Sequence, residues 1–171
     1  MLIQVPIMAI AGLVGPKHIL NAGMGCSPLP GYKETTEKVS KIDVPTIWDS
    51  IDLDDSKEVD DLIFEVGRLW NPVGHTHRVA TEEFTVKILG RDRTFPKGTV
   101  ISIPINMSMI NKNVWGKNPF VFNHKRHNVQ KDCMILHAHG TKHGGRICPG
   151  TWIGLNMMRE IFVKCGKVRR E

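Results

Sequence analysis

The strongest hydrophobic periodicity of the chain lies between residues 55 and 70. Apolar side chains recur there every three or four positions, which places them on one face and predicts an amphipathic helix. They are Val59, Leu62, Ile63, Val66 and Leu69. Asp55, with Glu58 three residues later, resembles a capping box at the start of this helix, and Asn71-Pro72 marks its end.

The N-terminal part predicts another helix, a loop and a shorter helix. Residues 1–21 are apolar nearly all round, which is typical of a buried core helix, and Gly15-Pro16 is expected to bend it. A loop rich in Gly and Pro follows at 23–31, and a short polar helix is expected at about 33–41.

Two β-branched and apolar runs, 84–88 and 99–103, predict strands. Turn signals at Gly90 and at 96–98 separate them, so we expect a small antiparallel pair. From 106 to 145 regular periodicity gives way to a long polar segment that is rich in His and Asn. A compact domain tolerates such a segment mainly where the loop has a function.

Composition and charge narrow the class of protein. A length of 171 residues with 41% hydrophobic residues suits one globular domain, 1–171. The formal charge is +6, but the Lys and Arg residues are spread along the chain and interleaved with Asp and Glu. Nucleic-acid binding is therefore not expected. Residues 1–14 are too few to span a bilayer and lack the basic start of a signal peptide. The four cysteines form no CxxC pair, so reduced thiols are expected.

Cys148 lies in the heptapeptide GGRICPG at 144–150, where a loop becomes a predicted final helix. The glycines let the backbone approach a flat cofactor, and Arg146 could place its guanidinium on a carboxylate. The N-terminus of a helix offers unpaired N–H groups and a positive dipole end, which stabilise a thiolate. Taken alone, the heptapeptide could equally be a Gly-rich turn around a buried structural cysteine. The apolar face of the final helix is expected to carry Ile153, Met157, Ile161 and Cys165.

Two further motifs say little in isolation. Glu65 and Arg68 form an i,i+3 pair, which on a helix is usually a solvated surface pair. The stretch FNHKRH at 122–127 by itself is only a basic loop.

In order and spacing, however, these elements resemble the C-terminal half of the cytochrome P-450 family. Five elements stand in the family's order over residues 62–158, and together they form a specific signal. They are the helix-K ExxR pair Glu65 and Arg68 with the downstream Arg78, the FPKGT turn at 95–99, the meander residues Trp115, Asn118, Pro119 and Phe122, the meander arginine Arg126, and the haem-binding signature Gly144, Arg146, Cys148 and Gly150.

The resemblance implies a mainly α fold with a small antiparallel β part, the C-terminal portion of the cytochrome P-450 fold. It implies haem b as cofactor, with the Cys148 thiolate as the axial ligand of the iron and with Gly144 and Gly150 in the loop that approaches the haem. Arg146 is implied as a donor to a haem propionate, and Arg78 is a second candidate for that role.

The resemblance further implies that Glu65, Arg68 and Arg126 form a buried charge triad with a structural role. The implied activity is that of a monooxygenase, an oxidoreductase acting on a small apolar organic or lipid substrate with electrons from a redox partner. An intracellular location is expected, and any membrane anchor would precede Met1 in a longer chain.

Three departures from the family pattern keep alternatives open. Thr141 stands where the haem signature begins with an aromatic residue. Val14 and Gly15 stand where the distal helix usually carries an acid and a threonine for oxygen activation. The second departure favours a hydroperoxide or endoperoxide isomerase or lyase of the same fold. Complete members are also far longer, so a non-catalytic fragment is another alternative.

A zinc site is the alternative from a different class of function. His137, His139 and His143 with Cys148 have the residue types that Zn²⁺ prefers, although their spacing fits no standard zinc module. His75 and His77 are expected to be exposed turn residues.

Overall fold

The computed structural model describes residues 4–24, 49–133, 148 and 150–171, with side chains from Val14 onwards. These residues are mainly helical and carry two small antiparallel sheets, which confirms the expected fold class. In chain order the elements are α1 (Gln4–Gly23), α2 (Ser56–Leu69), β1 (His75–Val79), β2 (Phe84–Ile88), β3 (Arg91–Phe95), β4 (Val100–Pro104), α3 (Ile105–Met109), α4 (Lys112–Trp115), α5 (Val129–Asp132) and α6 (Thr151–Arg170).

Helix α2 begins and ends where the hydrophobic pattern and the end signals predict. The side chain of Asp55 caps it by accepting hydrogen bonds from the amides of Lys57 and Glu58 at 2.9 and 3.4 Å. The predicted capping box is only half formed, because Glu58 accepts from the amide of Asp52 instead of that of Asp55. At the other end, the amide of Trp70 donates to the carbonyl of Val66.

The predicted pairing of the two apolar strands is wrong. Strand β2 pairs with β3, and β4 pairs with β1, each in antiparallel register. Leu89 and Gly90 both have positive φ, at 50° and 79°, so they form a two-residue turn that joins β2 to its nearest neighbour in sequence. Phe84 and Phe95 stack across this hairpin with ring centroids 5.3 Å apart. Strand β4 is then left to pair with β1, which the pattern did not reveal.

The long segment from 106 onwards contains more regular structure than predicted. Helices α3, α4 and α5 have four or five residues each, and α3 begins one residue before the segment. Such helices are too short to show a 3.6-residue period, which explains why the sequence resembles a loop. Residues 134–147 lie outside the described part, as do the predicted polar helix at 33–41 and most of the loop before it.

Helices α1, α2 and α6 pack around one core. Helix α1 confirms the predicted N-terminal helix and continues to Gly23. Where α1 meets the end of α2, burial lowers the pKa of His18 below its usual value, while a hydrogen bond with the backbone of Trp70 opposes this shift. Ile19, Ile63 and Met158, one from each helix, are at most 1% exposed.

The predicted apolar face of α6 is wrong. Ile153 is 76% exposed, Met157 is 37% exposed and Cys165 is exposed, while Ile161 is only half-buried. Helix α6 has more than one apolar row, and its contacts with α1 and α2 select which row is buried. The buried residues are Thr151, Leu155, Met158, Phe162 and Gly166.

Within the described residues, no helix is both long and apolar enough to cross a membrane.

The close contact between Gly23 and Phe162 yields the first prediction. A Cβ at Gly23 would overlap with Cζ of Phe162, whose side chain is buried and cannot withdraw freely. We expect Gly23→Ala to lower the free energy of unfolding by about 1–3 kcal/mol, as overpacking does, measured by urea titration. The matched control is Gly154→Ala, whose Cβ would meet Cγ of Pro16 at 3.8 Å and which should be neutral or stabilising. A Gly23→Ala protein as stable as the wild type would contradict this packing.

Candidate functional site

Cys148 lies three residues before the first residue of helix α6 and is half-buried. Its carbonyl accepts hydrogen bonds from the amide of Thr151 at 3.0 Å and from Oγ1 of Thr151 at 2.7 Å. These two bonds tie the backbone of Cys148 to the first turn of α6. Its thiol forms no disulfide with any cysteine that the structure describes.

The surroundings of Cys148 fit a haem on the thiol side. A thiolate is one of the standard axial ligands of haem iron. Gly150 leaves space beside the sulfur, because a Cβ there would lie 3.8 Å from Sγ. Trp152 and Ile153, in the first turn of α6, are 73% and 76% exposed, so apolar surface lies uncovered close to Cys148 in the sequence. Gly144 and Arg146 lie outside the described residues.

Arg78 lies on β1 and is exposed. Its Nη1 donates to Oγ1 of Thr76 at 2.9 Å and to the carbonyl of His77 at 2.8 Å, both within its own strand. These contacts hold the guanidinium along β1. Its role as a propionate donor stays a prediction. His75 and His77 are exposed as expected, but they lie in β1 and not in a turn.

Glu65 and Arg68, which the pattern alone would place on a solvated surface, lie fully buried on α2. Nε and Nη2 of Arg68 donate to the two carboxylate oxygens of Glu65 at 2.7 and 2.8 Å. Both side chains have 0% exposure. A bidentate pair of this kind is stronger than a neutral hydrogen bond, and burial removes the competition from water.

Arg126 and the amide of Asn123, which are distant from Glu65 in the sequence, bind the same carboxylate. The amide donates to Oε1 of Glu65 at 2.9 Å, and Nε of Arg126 approaches the same atom at 3.3 Å. The structure therefore brings Glu65, Arg68 and Arg126 into one cluster, which we call the Glu65 cluster. Trp115 also belongs to this cluster, because the guanidinium carbon of Arg68 lies over its ring, 4.8 Å from the ring centroid.

The two guanidiniums of the Glu65 cluster also bind backbone carbonyls of the segment 109–121. Arg68 Nη1 donates to two of these carbonyls, each at 2.7 Å, and Arg126 donates to three others at 2.8 to 3.1 Å. The carbonyls belong to Met109 and Pro119 for Arg68, and to Trp115, Asn118 and Val121 for Arg126. Because the acceptors are backbone atoms, no residue type in the sequence could have identified them.

The charges of the Glu65 cluster balance only with help from the backbone. One carboxylate faces two guanidiniums, so one positive charge is left over. The negative ends of five carbonyl dipoles lie against that excess charge and supply hydrogen-bond acceptors for the buried guanidinium of Arg68 and the partly exposed one of Arg126. The cluster therefore binds the segment 109–121, which contains the short helix α4, to the buried face of α2.

The described residues bring no group of three or more His, Cys, Asp or Glu side chains together as a metal site. His137, His139 and His143, the residues of the alternative zinc site, lie outside the described part.

A family model described as Cytochrome P450 matches residues 33–165. The chain therefore belongs to the cytochrome P450 family. Among solved structures it is similar to P450BioI in complex with hexadec-9Z-enoic acid ligated to an acyl carrier protein, at 16% identity and a TM-score of 0.61. The match covers 95% of this chain but 35% of that chain, so this chain spans about a third of that length. Among curated proteins, none matches it in sequence.

Removing the charge of Glu65 tests the energetic weight of the cluster. Glu65→Gln keeps the shape of the side chain but leaves two guanidiniums without their carboxylate, so we expect a loss of roughly 3–5 kcal/mol in the free energy of unfolding. Urea titration monitored by tryptophan fluorescence measures it.

The control is Asp54→Asn, just before the same helix. Asp54 pairs with Lys167, and the two side chains are 84% and 55% exposed, so this change should leave the free energy of unfolding nearly unchanged. Equal losses in the two variants would show that the Glu65 cluster carries no special weight.

Proposed function

We propose that the protein containing this chain is a haem-thiolate oxidoreductase of the monooxygenase type, with Cys148 as the axial ligand of the haem iron. The observation that carries the proposal is a half-buried thiol, without a disulfide in the described part, tied to the start of a long helix in a chain of the cytochrome P450 family. Membership of that family, together with the motif order, supports haem b as the cofactor.

The residues of this chain would bind and orient the cofactor. Cys148 would ligate the iron, Gly144 and Gly150 would allow the loop to approach the ring, and Arg146 and Arg78 would donate to the propionates. When bound, a thiolate-ligated haem supplies oxidation chemistry, because the thiolate pushes electron density onto the iron and favours O–O cleavage. The chain's own contribution is to hold the sulfur in place.

The proposed substrate is a small apolar organic molecule or a lipid, and the proposed electron source is a redox partner. The structural neighbour was solved with a hexadec-9Z-enoic acid carried on an acyl carrier protein, and a long acyl chain belongs to this apolar class. Because this chain spans about a third of that neighbour, substrate and partner are proposed for the whole protein and not for the segment by itself.

Haem reconstitution of the 171-residue chain tests the ligand. We expect the reduced, carbon monoxide-bound form to show thiolate-type absorption, and Cys148→Ser to abolish it because serine supplies no thiolate. Cys165→Ser is the matched control, since this cysteine is exposed on α6, the helix that follows Cys148. Thiolate-type absorption that survives in Cys148→Ser would refute the assignment. Stoichiometric zinc in place of haem would support the alternative zinc site.

A second candidate function is an isomerase or lyase acting on a hydroperoxide or an endoperoxide. Val14 is 51% exposed on α1 and Gly15 has no side chain, so neither position offers a carboxyl or hydroxyl group for proton transfer. Such a reaction rearranges an oxygen–oxygen bond already present in the substrate and needs no electron donor.

Substrate turnover without a reductant distinguishes the two candidates in the full-length protein. If the isomerase reading holds, a fatty-acid hydroperoxide is converted with no electron donor, and Val14→Asp with Gly15→Thr does not raise this rate. If the protein is a monooxygenase, oxidation of an apolar substrate requires both reductant and oxygen. The same double variant should then increase the amount of product formed per electron donor consumed.

A further inference from the structure

Cys148 lies just before helix α6, and among the described residues the ion pairs that join α6 to the rest of the protein involve Arg159, Lys167 and Arg169. Lys167 binds Asp54 at 2.9 Å near the C-terminal end. The charged contact nearest Cys148 is that between Arg159 and Asp60 of helix α2. Nε and Nη2 of Arg159 donate to the two oxygens of Asp60, each at 2.8 Å.

The Arg159–Asp60 contact is built differently from the other ion pairs of α6. It is bidentate, and the side chains of Arg159 and Asp60 are 28% and 15% exposed, against 55% and 84% for Lys167 and Asp54. Nη1 of Arg159 also donates to the side-chain oxygen of Asn156, one turn earlier on α6. The hydrogen bonds to Asp60 raise the pKa of Arg159 further above its usual value. The planar fork therefore has a single preferred orientation.

The buried apolar side chains of α6 include Leu155, Met158 and Phe162. Apolar burial is non-directional, so the area that they bury does not by itself select one rotation of the helix about its axis. A bidentate ion pair does select one, because its two hydrogen bonds require a fixed geometry. Arg159 lies about 12 Å along the axis from Thr151 at the usual helical rise, and Thr151 holds Cys148 through two hydrogen bonds.

We propose that Asp60 and Arg159 are positioning residues, which set the rotation of α6 against α2 and thereby the place of the Cys148 sulfur. This inference rests on the proposed function for its consequence, because the sulfur must meet an iron held by other parts of the fold. The geometric part concerns this chain alone.

Thiol reactivity in the haem-free 171-residue chain tests the geometric part. The rate of maleimide labelling at Cys148 is followed by mass spectrometry of the peptide that contains it, in a urea-free buffer where each variant is folded. We expect Asp60→Asn and Arg159→Lys to change this rate by roughly threefold or more, as residues coupled in one network do. Asp54→Asn, which breaks the exposed pair of the same helix, should leave it unchanged.

Charge exchange separates positioning from simple loss of stability. In the double variant Asp60→Arg with Arg159→Asp, the pair can re-form in the opposite direction, so the labelling rate should return towards that of the wild type. Rates in Asp60→Asn and Arg159→Lys that match Asp54→Asn would overturn the inference. So would a change that follows unfolding free energy across all variants alike.

The haem-loaded chain supplies a second readout. We expect Asp60→Asn to lower the fraction of bound haem with thiolate-type absorption by roughly threefold or more, while Asp54→Asn leaves it unchanged. If the wild-type chain shows no thiolate-type absorption, the proposed function fails, and the labelling rates still decide the role of the pair. If the wild type shows it and Asp60→Asn matches the wild type in both readouts, the inference fails and the proposed function stands.

Discussion

The buried carboxylate of Glu65 is the constraint on which the described structure depends. A lone carboxylate in this position would cost several kcal/mol in lost hydration, so its partners must come with it. Arg68 supplies two hydrogen bonds from the same helix, and Arg126 and the amide of Asn123 approach from a distant part of the chain. Satisfying one side chain thus requires two segments of the chain to meet in one arrangement.

The two arginines that bind Glu65 also fix the backbone of another segment. Once Arg68 and Arg126 are held at Glu65, their remaining donors bind the carbonyls of a segment in which only short helices form. Helix α2 then offers its other faces to α1 and α6, and the first residue of α6, Thr151, donates hydrogen bonds to the carbonyl of Cys148. The candidate ligand is therefore not positioned by its own loop alone. It depends on the packing of α6 on the helix that holds Glu65.

How much of this could be predicted from the sequence depends on the kind of contact. Helix α2 has caps and a strong period, so its ends were predicted closely, and motif order pointed to the family before any contact was known. Strand pairing failed because the turn at Leu89 and Gly90 was not recognised as the link of a hairpin. The predicted buried face of α6 was wrong because periodicity does not show which of two apolar rows is buried. The carbonyl partners of Arg68 leave no trace in residue types.

Native-state hydrogen exchange of the Asn123 amide tests the central claim most directly. Asn123 is an exposed residue in a turn, yet its amide donates to the buried carboxylate of Glu65. If the Glu65 cluster holds the segment to α2, this amide should open together with the interior amides of α2, with opening free energies that agree within about 1 kcal/mol. Exchange of Asn123 at the rate of a free loop, while α2 stays protected, would contradict the account.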